Sequence, residues 1–139
     1  MTNEKQTIIE YRLREARETL EDAEMLLEND RLRSAANRIY YGMFYAAIAL
    51  LATRDLKSSH HSGVITLLAD SFVRTGILPK EIYRHLGRAF DLRTQGDYKD
   101  MVVLRKPALQ EMLADAKVFV AKVEELIVAP PTKPDDTAV

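Results

Sequence analysis

At 139 residues the chain has the length of one domain and can bury a core without covalent staples. It contains no cysteine, which excludes a disulfide framework, a thiolate metal site and thiol catalysis. The net charge of −1 argues against a generic nucleic-acid coat, whose binding depends on a broad positive field.

The N-terminus is polar from Thr2 to Gln6, unlike a secretion signal. The first periodic segment carries Ile9, Leu13, Ala16, Leu20, Ala23 and Leu27 at alternating steps of four and three, the seam of an amphipathic helix. Between Glu4 and Glu28 eight acidic residues face four basic ones. The polar run from Glu28 to Arg31 ends this helix. A second segment repeats the spacing at Leu32, Ala36, Ile39, Met43, Ala46 and Leu50, and the short break predicts an antiparallel helical hairpin. Its other side is apolar too, with Tyr41, Phe44, Tyr45, Ile48 and Leu51, so the helix is expected at the centre of the domain, at a dimer interface, or both. The apolar stretch from Ile39 to Ala52 is too short and too polar in places to span a membrane. A soluble, cytoplasmic protein is expected.

Residues 53–59 read as a loop, after which Ser58, Ser59 or Ser62 could cap a third helix bearing Val64, Leu68 and Phe72 on one stripe. Gly76 is expected in the left-handed conformation, with Ile77 packing back. Pro79 then opens a fourth helix at its first helical position, and Gly96 is its expected end. Residues 97–105 read as irregular. After Pro107 a fifth helix carries Leu109, Leu113, Ala116, Val120, Val123 and Ile127. The sequence thus predicts an all-α, up-and-down four-helix bundle with an additional short helix over residues 1–127. Residues 128–139, rich in Pro and Asp, form a predicted disordered tail.

The residue that stands out is Arg93. It follows Ile82, Leu86 and Ala89 at core spacing, so a guanidinium falls on the buried face in the last turn of the fourth helix. Such an arginine needs a partner. It either satisfies carbonyls and pairs with Asp97, which is the commoner fate, or faces a cleft that receives a phosphate. The segment from Lys80 to Lys106 is net basic, with seven cations and four carboxylates. Arg38, Tyr41 and Tyr45 share one edge of the second helix, as a groove wall or a packing edge, while Asn37 is expected to hydrogen-bond a neighbouring helix. His60, His61 and His85 lack companions at metal-ligand spacing, so neither a metal nor a cofactor is expected.

Three segments together resemble the HEPN superfamily, specifically its small stand-alone prokaryotic proteins associated with toxin–antitoxin pairs. They are RSAANRIYYGMFYAAIALL from Arg33 to Leu51, KSSHHSGVITLLADSFVRTGIL from Lys57 to Leu78, and RTQGDY from Arg93 to Tyr98. The resemblance implies a helical bundle, a homodimer and binding of nucleotide or RNA. It also implies partnership with a minimal nucleotidyltransferase. Active members use an Arg and a His four to six residues on for metal-independent RNA cleavage. Here Arg93 matches the arginine, but Tyr98 stands where the histidine belongs. Tyrosine has a reference pKa near 10 against roughly 6.5 for histidine and is a poor proton shuttle at neutral pH. Ligand binding is therefore expected at Arg93, Thr94, Asp97 and Tyr98 of the motif segment, with Arg38 from the edge of the second helix. Its rival reading is a ribonuclease toxin using Arg93 with Tyr98 or a partner's histidine, and a third is a ligand-free assembly domain.

Overall fold

The computed structural model describes residues 2–98 and 103–128, and the side chains of residues 2–94 and 103–128. They form α1 (Asn3–Glu28), α2 (Leu32–Ala52), a short α3 (His61–Leu68) that runs into a π-helical turn (Ala69–Val73), α4 (Lys80–Tyr98) and α5 (Lys106–Val128). No strand occurs among the described residues, and the all-α bundle of four long helices with one short helix is as the periodicity predicts. No described helix is long and apolar enough to cross a membrane.

The α1 seam is buried along its whole length, from Ile9 to Leu27, and packs on α2. Thr2 caps the helix by accepting a hydrogen bond from the Lys5 amide at 3.1 Å. At the other end Asp30 takes a left-handed backbone (φ 59°) and the Arg31 amide donates back to the Leu26 carbonyl. That closure turns the chain in three residues and makes α1 and α2 an antiparallel pair. Lys106, opening α5, bridges to Asp30 at 2.9 Å and ties α5 to this corner.

Helix α2 is the central element: it packs against α1, α3, α4 and α5. Its two apolar faces are therefore accounted for within one chain. Ile39, Met43 and Leu50 are buried on one side, Phe44 and Leu51 on the other, and Tyr41, Tyr45 and Ile48 are half-buried. Gly42 faces α1, where a Cβ would stand 2.4 Å from Leu20 Cδ2 and 2.8 Å from Leu20 Cγ.

Several element ends depart from the sequence expectation. None of the three serines caps α3. His60 occupies the N-cap without a side-chain bond, and Ser58 Oγ accepts from the His60 amide one step outside the helix. Val64, Leu68 and Phe72 do form the buried stripe. Gly76 has φ 81° and Ile77 packs back against the core, both as expected, and Leu78 beside it is buried deeper still. Both their amides donate to the Phe72 carbonyl. Pro79 lies just outside α4, where its carbonyl accepts from Ile82 and Tyr83. Gly96 does not end α4, which continues to Tyr98. A helical glycine costs about 1 kcal/mol relative to alanine, too little to stop a helix whose other contacts hold it. Residues 97 and 98, expected irregular, are thus helical, 103–105 are not, and 99–102 lie outside the described residues. In α5 Leu126, not Ile127, is the buried residue of the final turn, and the tail from 129 lies outside the described residues.

Candidate functional site

Phase places Arg93. Leu86 and Ala89 of α4 are buried against the bundle, and the next step along that stripe brings the guanidinium onto the face of α2. There it meets two consecutive tyrosines. Arg93 Cζ lies 5.4 Å from the centre of the Tyr40 ring and 5.2 Å from that of Tyr41, and Arg93 Nη2 donates to Tyr41 Oη at 3.2 Å. A guanidinium over an aromatic face, partly out of water, gains about 1–2 kcal/mol. Tyr41 also receives a second guanidinium, with Arg38 Cζ 5.1 Å from its ring centre.

These two arginines and Arg33 converge on one groove of about 540 Å³ between α2 and α4, with Ser34 and Asn37 adding polar atoms. Leu26, Leu92 and Leu104 give it an apolar lining, and no carboxylate lines it among the described residues. Arg38 is oriented by its neighbour: Asn37 Oδ1 accepts from Arg38 Nε at 3.2 Å and from Nη2 at 2.9 Å. Asn37 thus bonds within its own helix and not, as expected, to another. Three guanidinium groups in one concavity suit a dianionic or phosphodiester group, which they can meet with paired donors.

The structure brings together Arg93, Arg38 and Tyr41 of the predicted site. Thr94 contributes less than expected, because its hydroxyl donates to the Phe90 carbonyl of its own helix at 2.9 Å. The side chains of Asp97 and Tyr98 lie outside the described residues. Tyr45 extends the aromatic wall, 5.9 Å from Tyr41 between ring centres.

One residue at this site has no part in the sequence reading beyond metal binding. His61, the first residue of α3, lies against the same wall, with its ring stacked on Phe44 at 4.3 Å and 5.6 Å from the centres of both Tyr40 and Tyr41. Its Nδ1 is 2.8 Å from the hydroxyl of Tyr40. Tyr40 is fully buried, and burial pushes its pKa far above the ordinary tyrosine value although Arg93 pulls the other way. The hydroxyl therefore keeps its proton. The His61 pKa is lowered, first by burial and then by the positive charge of Arg93, which favours the neutral imidazole. A phase signal existed: His61 precedes Val64 by three residues and continues the stripe of Leu68 and Phe72. Among the described residues no group of three or more His, Asp or Glu side chains is arranged to hold a metal ion.

Comparison with known proteins matches residues 9–126 to the HEPN domain model. A "UPF0332 protein" of Thermotoga maritima is 44% identical over 125 residues, covering 90% of this chain and 95% of that protein. Two proteins of Methanocaldococcus jannaschii are also similar. "Putative toxin MJ0605" is 34% identical across 81% of this chain and 83% of its own length. "Putative toxin MJ0142" is 29% identical across 87% and 82%.

Proposed function

The chain belongs to the HEPN domain family, and from that premise we propose that it is a module that binds a phosphate-bearing ligand, nucleotide or RNA, in the groove between α2 and α4. The observation that carries this reading is the convergence of Arg33, Arg38 and Arg93 on one concavity with an aromatic wall beside it. Guanidinium groups supply charge and paired donors for phosphate oxygens. Calorimetric titration with ATP and with a short single-stranded RNA tests the reading. Arg38→Ala, at the groove edge, should weaken binding about tenfold, the equivalent of 1.4 kcal/mol, with little change in melting temperature. Arg93→Ala should abolish it. Unchanged affinity in both folded variants would remove the groove as the site, and no binding of either ligand by the natural chain would favour a ligand-free assembly domain.

The same reading places the chain in a two-component toxin–antitoxin system with a minimal nucleotidyltransferase. Two of its relatives carry the word toxin in their names. Co-expression with a nucleotidyltransferase encoded beside it should yield a stoichiometric complex. A homodimer is part of this proposal, seated on the half-buried edge of Tyr45 and Ile48. Sedimentation at micromolar concentration should then give twice the chain mass, and a single-chain mass would exclude it.

A further inference from the structure

The arginine groove does not end at Arg38. A second concavity of about 620 Å³ adjoins it, and Leu26 and Arg38 line both spaces. Its other walls are Asp22, Met25, Asn29 and Arg31. The closure of the α1–α2 hairpin sets two of them in place. The Asn29 amide donates to the Met25 and Leu26 carbonyls, and the Arg31 amide donates to the Leu26 carbonyl at 2.8 Å. Asp22 and Met25 precede Leu26 by four and three residues, so both are its neighbours on the surface of α1.

The two spaces differ in charge. Arginines line the groove with no carboxylate among the described residues, whereas the second concavity contains Asp22. A carboxylate repels phosphate and accepts hydrogen bonds, so this half suits a neutral group that donates. Asp22 is exposed, and no ion pair occupies it among the described residues. Asn29 Nδ2 donates to the Met25 carbonyl at 2.8 Å, which leaves its Oδ1 to accept. Arg31 brings donors only. Met25 is 61% exposed, and its thioether offers a soft surface on which an aromatic ring can lie.

Resting on the reading that the groove takes the phosphate of a nucleotide or RNA, we propose that this second concavity is a guanine-recognition site in which Asp22 selects the base. Guanine presents two adjacent donors, N1–H and N2–H, which a carboxylate accepts as a parallel pair. Its O6 and N7 lie next to them and match the paired donors of a guanidinium, which Arg31 supplies. Adenine sets the N1 lone pair beside its amino group, and cytosine does the same with N3. Uracil has one N–H between two carbonyls. Each of these meets Asp22 with an acceptor where guanine has a donor. The base lies over Met25 and Leu26, and Arg38 stands between it and the phosphate end of the groove. The same chemistry serves a free guanine nucleotide and a guanine within an RNA strand.

The test is calorimetric titration of the full chain with GTP, ITP and ATP, and with two RNA trinucleotides that differ in a central guanine or adenine. GTP should bind about tenfold more tightly than ATP, with ITP, which lacks the 2-amino group, between them. A guanine preference among the triphosphates, among the trinucleotides or in both supports the site and identifies its source. Removing a carboxylate strengthens the binding of every phosphate alike, so the ratio of GTP to ATP affinity is the quantity to follow. In Asp22→Asn that ratio should fall to about one while the melting temperature holds, and Asp22→Ala is the second variant should the first fail to fold. A preference that survives in either folded variant would overturn the assignment of Asp22. Equal affinity for guanine and adenine in both ligand forms would overturn the site and leave the groove reading standing. Absence of binding by every ligand would overturn both.

Discussion

Burial and a neighbouring cation act on the His61 imidazole in the same direction, and the consequence for stability has a definite sign. Its pKa is lowered in the folded chain from the ordinary value of 6.5. On acidification the unfolded chain takes up this proton first, so stability is fully present above about pH 6.5 and is lost as pH falls through the lower, folded pKa. Urea midpoints measured at pH 7.5 and pH 5.5 should therefore fall more for the natural chain than for His61→Asn. Equal falls would show that the imidazole is not held neutral. At this scale the sequence was only partly legible. Arg93 announced itself because a cation in phase with apolar residues is conspicuous. His61 did not, because a histidine on a buried stripe resembles any other at the start of a helix. Its importance comes from Tyr40 and Arg93, which stand 21 and 32 positions away in the chain.

Between helices, steric fit decides more than propensity, and two glycines of similar sequence context separate the effects. Gly42 lies at the tight approach of α1 to α2, where an added methyl would press on Leu20, itself buried. Gly87, in the middle of α4, has open space where a methyl would stand, with nothing within 4 Å. Gly87→Ala should gain roughly 0.5–1 kcal/mol from lost unfolded-state freedom alone. Gly42→Ala has the same backbone gain but adds about 1–3 kcal/mol of overpacking, so it should be less stable than the natural chain by about 1 kcal/mol. Thermal melts of the two variants should thus move in opposite directions. A rise in both would mean that Leu20 yields freely. The heptad seams, the hairpin at Asp30 and the turn at Gly76 were legible because each rests on local geometry. The end of α4 was not. Gly96 has the same chemistry as Gly76, and what separates a glycine that ends a helix from one inside it is the tertiary support of the next turn. The π-helical turn from Ala69 to Val73 likewise has no local signal; it is marked by the Arg74 amide reaching the Ala69 carbonyl, five residues back.

Charge is organised on the scale of the whole molecule, and this limits how it can hold a nucleic acid. The chain carries a net charge of −1, and α1 alone contributes a large acidic excess. The positive groove is a local feature set between α2 and α4, and RNA extending beyond it meets a molecule whose net charge is slightly negative. Binding should therefore engage few phosphates. Each neutralised phosphate of a single strand contributes a slope of about −0.7 in log K against log salt, so three arginines give a slope near −2. Arg38→Ala should flatten it by about one such step while weakening all sequences alike. For the same reason a trinucleotide should bind nearly as tightly as a strand several times longer. Fluorescence anisotropy over a salt series, with both RNA lengths, measures these quantities together. A slope steeper than about −4, or affinity that climbs with strand length, would mean that RNA tracks across a broad face and that the arginine groove is not its principal anchor.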